Sequence, residues 1–253
     1  ANDISLGQVT YFNRINERSA FAGSLRYFGL GDIELRQSFE DTPRTVSPNE
    51  LAIDGSYALK LSEQFSMAIA GRFIRSNLKI PDGTSDASAA STFAFDVAGF
   101  YQSEEEAYSD FNGRWRAGFN LQNLGPKIKY DNDVTNTNFI PSNLRLGGGF
   151  DFIFDEYNKV SVTGEVTKLL VPTPPEITDV NDDGVIDSQD SSQLNNEYRK
   201  IGWVSGVFKS FNDAPDGFSE ELKEFTWALG AEYSYQDSFS IRTGYFNESV
   251  EKG

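Results

Sequence analysis

The chain's clearest regularity is an alternation of apolar and polar residues with a period of two, the mark of β-strands whose two faces meet different surroundings. Phe21, Gly23, Leu25 and Tyr27 share one face, against Ala22, Ser24 and Arg26. Phe65, Met67, Ile69, Gly71 and Phe73 stand against Ser66, Ala68, Ala70 and Arg72. The pattern returns with Phe93, Phe95, Val97, Gly99 and Tyr101, and again with Trp115, Ala117, Phe119 and Leu121. Near the end Phe225, Trp227, Leu229, Ala231 and Tyr233 repeat it. Similar stretches cover roughly 3–14, 50–61, 142–154, 159–171 and 238–248. These runs predict about ten antiparallel strands, many near the 9–11 residues that cross a bilayer at a tilt.

The connections sort by length. Short turns fall at Ile15–Arg18, Ser62–Gln64, Asp155–Asn158 and Gln236–Asp237, with a medium one at Glu104–Asn112. Long links occupy Ser38–Asn49, Pro81–Ser91, Gly125–Pro141 and 172–223. Short turns at one end and long loops at the other are the habit of outer-membrane barrels. Residues 200–211, KIGWVSGVFKSF, offer an eleventh strand through Ile201, Trp203 and Val207, but that strand would put the flanking links on the wrong ends. Val204, Val207, Phe208 and Phe211 instead fit helical spacing. Gly202 and Gly206 each cost such a helix about 1 kcal/mol, so packing has to support it. The expectation is one barrel domain over 1–253, with a short helix inside a long extracellular loop at 172–223.

Hydropathy alone would call the protein soluble: no stretch reaches the ~18–20 apolar residues of a spanning helix, and mean hydropathy is −0.45. A membrane barrel escapes that test, because only every second residue of a strand faces lipid. A soluble sandwich would show the same period, and two features favour the membrane. The polar stripe carries Arg72, Arg145, Glu165, Glu232 and Arg242 in mid-strand, as suits a lumen where charges pair or meet water. Aromatic residues gather near strand ends, at Tyr11–Phe12, Tyr27–Phe28, Tyr233 with Tyr235, and Tyr245–Phe246, in the manner of interfacial girdles. Outer-membrane lipid is therefore an expected partner. A formal charge of −16 argues against nucleic acid as another. The absence of histidine and cysteine removes the usual general base, the usual nucleophile pairs and thiolate metal sites. An acidic-pair protease has no further support, so the expectation is a protein that is not an enzyme and requires no cofactor.

Two longer blocks, SFNDAPDGFSEELKEF at 210–225 and GAEYSYQDSFSIRTGYFNES at 230–249, resemble the PorV family of Bacteroidetes, as do NLGPKIKY at 123–130 and SLRYFGLGDIELR at 24–36. The similarity runs over essentially the whole chain, and 210–249 is its most specific part. The resemblance implies a FadL-like barrel of 14 strands in the complete protein, of which about ten are represented here. It implies a subunit of the type IX secretion system that partners the large SprA/Sov translocon. Such a subunit receives secreted cargo bearing C-terminal signal domains and passes it to surface attachment. Against that pattern the N-terminal plug is missing and the chain ends at Lys252–Gly253 without a terminal aromatic strand, so it reads as trimmed at both ends. A FadL-like channel for small hydrophobic molecules is the alternative, and the mostly polar inward stripe speaks against it.

Two local sites stand out. In TDVNDDGVIDSQD, Asp179, Asn181 and Asp183 hold positions 1, 3 and 5 of a calcium loop, with Gly184 at position 6 where the chain turns sharply. Val185 offers its carbonyl at position 7, Ile186 anchors the loop, and Asp190 closes it at position 12. Such an ion, Ca²⁺, would be structural; a solvated acidic loop is the plain reading. The second site is the apolar helix with Trp203, Val207, Phe208 and Phe211. Beside it lies the turn from Asp213 to Phe218, followed by Ser219-Glu220-Glu221 as a helix start. An exposed apolar helix rimmed by acids is a candidate docking surface; a plug for the barrel mouth is the equal alternative.

Overall fold

The computed structural model of the protein describes residues 3–36, 42–79, 88–130, 137–214 and 217–249. Ten long strands dominate it: β1 (Ser5–Arg14), β2 (Ser19–Gly29), β3 (Asn49–Lys60), β4 (Phe65–Asn77) and β5 (Ala90–Gln102) in the first half. The second half holds β6 (Asn112–Leu124), β7 (Asn143–Ile153), β8 (Asn158–Leu169), β9 (Phe225–Tyr235) and β10 (Phe239–Asn247). Each pairs antiparallel with the next in sequence, so the sheet is an unbroken meander from β1 to β10. All ten expected strands are present, displaced at their ends by a few residues. The alternation that predicted them is the reason they form: each row finds one kind of surroundings along its whole length.

Three helices lie between β8 and β9: α1 (Ser188–Lys200), α2 (Trp203–Lys209) and α3 (Phe218–Lys223). The segment around 200–211 is thus helical, as its spacing required. Helix α1 and several short strands were not expected. Ile33–Leu35 pairs Arg44–Val46, Ile128–Lys129 pairs Thr137–Asn138, and Glu106–Ala107 extends the sheet beside β6.

The faces of the sheet decide between a soluble and a membrane protein. Among the described residues only Ala90, Ala94, Ile128, Ile140 and Leu170 are buried hydrophobics. Meanwhile Ile69, Phe93, Trp115 and Leu229, all on the apolar rows, are between 55% and 65% exposed. A sandwich in water would close over those rows; a barrel turns them to lipid. The polar side is the concave one, because a single cavity of about 620 Å³ is lined by five successive strands, β5 to β9.

Charges on the concave side neutralise one another across strands. Arg72 of β4 pairs with Asp54 of β3 and with Asp96 of β5, the latter at 3.0 Å. Its guanidinium also donates to the amide oxygen of Asn123 in β6, and Ser24 of β2 donates to Asp54 at 2.7 Å. Asn123 reaches this point through a bulge. Phe95 and Val97 face Leu124 and Leu121, so β6 carries one extra residue, with Asn123 at φ 58°. Further round, Arg116 lies 2.7 Å and Arg114 3.4 Å from Asp151, which also accepts from Ser161. Arg242 pairs with Glu232.

The small hydrophobic core sits on this same side, toward the long loops. Ile128 and Ile140 pack on Ala90 and Ala94, with Ile74 and Tyr130 against them. Tyr130 donates to Ser76 at 2.8 Å. The described parts of this link, 125–130 and 137–141, therefore fold back into the concavity.

The lipid-facing assignment is tested by Ile69→Arg, in the middle of the apolar row of β4. The variant should lose about 2–4 kcal/mol of folding stability in lipid vesicles, read from heat-modifiable mobility on gels. A loss within 0.5 kcal/mol, the size usual for exposed positions in water, would contradict it.

Candidate functional site

The link from β8 to β9 is the largest feature at the long-loop end, and each of its helices has a local cause. Asp187 caps α1: its side chain accepts from the Gln189 N–H, while Asp190, three residues on, accepts from the Asp187 N–H in a capping box. Arg199 and Lys200 occupy its last turn, where a cation meets the negative end of the helix dipole. Helix α2 contains Gly206 because nothing larger fits. A Cβ there would stand 2.7 Å from the Phe139 ring and 3.1 Å from Pro172. Packing thus supports the helix that Gly206 weakens, whereas Gly202 stands just before it as the N-cap, where glycine costs little. Trp203 adds an edge-on contact to Phe95, with ring centroids 6.3 Å apart.

Trp203 and Val207 are half-buried by these contacts. The opposite side of α2 and the turn after it point away: Phe208 is 74% exposed, Val204 50% and Phe211 44%. Phe218 opens α3, and its side chain lies outside the described residues. Asp213 is half-buried and accepts from the backbone N–H of Thr173 at 2.9 Å, which places it at the base of the loop rather than on the rim of α2.

That base is a cluster of charges that no local pattern announced. Lys168, the last but one residue of β8, is fully enclosed. Its ammonium pairs with Glu221 at 2.6 Å and with Glu224, both from the α3 segment. Glu224 also accepts from the Thr173 hydroxyl at 2.8 Å, and Tyr198 of α1 donates to the Pro172 carbonyl at 2.7 Å. Oxygens of Asp213, Glu221 and Glu224 lie within 4.8 Å of one another. Such a group resembles a metal site, but Lys168 already supplies a cation to two of them. Burial pushes the Asp213 carboxyl up from its ordinary value, and the neighbouring Glu224 and Glu221 add to the effect. Burial likewise raises the Tyr198 hydroxyl. Three carboxylates around one ammonium leave surplus negative charge at the loop base.

The 179–190 loop is folded by its own side chains. The Gly184 N–H donates to Asp179 at 2.8 Å, the Asp183 N–H to Asn181 at 3.0 Å, and the Val185 N–H to Asp183 at 2.8 Å. Asp182 and Gly184 take left-handed φ values of 57° and 83°. The second oxygen of Asp179 is enclosed without a hydrogen-bond partner. Asp190 is fully buried and accepts from the Val180 and Asp187 N–H groups, each at 3.0 Å. These bonds, Asp187 first, hold its carboxyl below the ordinary range. Ile186, expected to anchor the loop, is instead 61% exposed.

Replacing Lys168 with methionine keeps the shape but leaves the buried Glu221 and the half-buried Glu224 without their counter-ion. The cost expected is about 3–5 kcal/mol, concentrated at the loop base. Limited proteolysis of the 172–224 segment should accelerate in the variant while the sheet stays resistant. Unchanged cleavage would show that the ion pairs do not hold the loop.

No curated protein matches the chain. The profile of the family described as "Type IX secretion system protein PorV" matches residues 1–176. That stretch covers β1 to β8 and the start of the long link. The 210–249 segment, the most specific part of the likeness read from sequence, lies beyond the matched residues. With more than half of its length matched, the chain belongs to the PorV family, components of the type IX secretion system, a membership that implies an outer-membrane location.

Proposed function

We propose that the protein is a non-enzymatic subunit of the secretion machine that docks other proteins on its long-loop, extracellular end. The partners are an SprA/Sov-like translocon and secreted cargo with C-terminal signal domains, which it passes on to surface attachment. The observation that carries this reading is α2 and the turn after it. Val204, Phe208 and Phe211 are exposed on a segment whose other side packs on Phe95, Phe139 and Pro172. Aromatic side chains presented by an ordered base are what interface hot spots require, since little entropy is lost on binding.

The test is a pull-down of the tagged protein from gently solubilised outer membrane, comparing the native chain with Phe208→Ala/Phe211→Ala. A very large barrel partner and exported cargo should accompany the native chain, and recovery should fall at least tenfold with the double variant. If the variant retains its partners, α2 is not the docking surface. If the native chain brings down only small hydrophobic molecules, the FadL-like channel is the better reading. The feature behind that second reading is a cavity of about 670 Å³ under the long loop, with Leu169, Val171 and Tyr198 in its walls.

The 179–190 loop is proposed to take a structural calcium ion through Asp179, Asn181, Asp183, the Val185 carbonyl and Asp190. The position-by-position spacing of oxygen donors supports this. Terbium luminescence should report a saturable site that Asp183→Ala weakens at least tenfold, and chelation should speed cleavage within the loop. Cleavage indifferent to chelator would sink it.

A further inference from the structure

The cavity against the concave face has a chemistry that docking does not use. At its centre Gly118 of β6 faces Gly147 of β7. One step along the ladder on one side stand Asn120 and Arg145, and on the other Arg116 and Gly149. Arg116 and Arg145 thus flank a floor without side chains, and Ala228 and Gly230 of β9 continue it. Gly149 is part of the design: its Cβ would stand 2.8 Å from the Val162 carbonyl and 3.4 Å from the Arg116 guanidinium. Any side chain there would crowd the arginine.

The polar groups around this floor are incompletely satisfied. Arg145 is exposed to the cavity and makes no hydrogen bond or ion pair among the described residues, unlike Arg72 and Arg242 on the same face. Arg116 meets Asp151 through Nη2, but Asp151 also serves Arg114, and the Nε of Arg116 is enclosed without an acceptor. The amide oxygen of Asn120 is enclosed without a donor. Enclosed polar atoms without partners are rare and costly, and two around one cavity, beside an arginine free to turn into it, point to a ligand that completes them. The sign is set by charge: Arg116 and Arg145 against Glu165 alone in the cavity wall, within a chain of net charge −16. Guanidinium groups match oxyanions through parallel N–H donors. An amide that can accept from a hydroxyl, or turn over and donate, suits a phosphate in either protonation state.

We propose that the concave face binds a phosphate group over the Gly118–Gly147 floor, between Arg116 and Arg145. The experiment uses the full chain in neutral-detergent micelles free of phosphate, titrated with inorganic phosphate and followed by calorimetry and thermal unfolding. Chloride at matched ionic strength is the control. A saturable response should appear with phosphate only. Arg145→Gln, which breaks no contact among the described residues, should weaken it at least tenfold, while Lys200→Gln outside the cavity leaves it unchanged. Dodecyl phosphate separates the sources: binding more than tenfold tighter than inorganic phosphate marks a lipid head group, and equal binding marks the free anion. No saturable response beyond chloride, or equal affinity in Arg145→Gln, overturns the proposal. Neither result depends on whether α2 docks a partner.

Discussion

The concave side of β2 to β6 is organised by one guanidinium. Arg72 is 13% exposed, and the two carboxylates it serves are nearly as enclosed, at 13% and 14%. Charges so far from water persist only when paired, because each lost solvation shell costs several kcal/mol. The partners come from the strand before and the strand after, and Ser24 and Asn123 extend the network one strand further each way. Strand register is thereby fixed from within: a slip of one residue would carry Arg72 to the lipid side and strand both carboxylates. The bulge in β6 serves the same network. It places Asn123 so that its side chain accepts from Arg72 while its N–H donates to Asp96 at 2.7 Å.

Much of this architecture could be read from the residues in order, because a β-meander is a local design. Each strand pairs with its neighbour, so the period of two, the turn lengths and the polar stripe fixed strand number, order and facing. Helix α2 was legible too, since Val204, Val207, Phe208 and Phe211 follow a helical repeat. What escaped was non-local or weakly patterned. Helix α1 has no apolar stripe, and its start was concealed because Asp190 was read as a metal ligand when it also completes a capping box. The short strands of two or three residues are too brief to show a period. The Lys168 cluster joins residues up to 56 positions apart, so no window along the chain reveals it. That Arg145 finds no partner among the described residues is equally invisible, for sequence shows a charge and not its partner.

The two ends and the middle of the protein thus divide their tasks. The sheet supplies an outer surface for lipid and an inner surface whose charges are mostly satisfied. The long link is tied down at its base: the α3 segment pairs with the enclosed Lys168, Thr173 bonds Asp213 and Glu224, and Tyr198 bonds the Pro172 carbonyl. Membership of the PorV family sets this ordered link in a component of the type IX secretion system.

The position of Lys168 has a consequence for how deep the protein sits. In β8 the lipid-side row runs Val160, Val162, Gly164, Val166 and then Lys168, whose charge is covered by the acids of α3. From Val160 to Lys168 the strand advances about 26 Å, or about 20 Å of height at the usual tilt, close to the apolar band of such barrels. One ammonium among three carboxylates leaves a net charge, and hydrocarbon offers such a charge no solvation. The cluster therefore marks where the apolar row of β8 ends, and the helices of the long link follow beyond it.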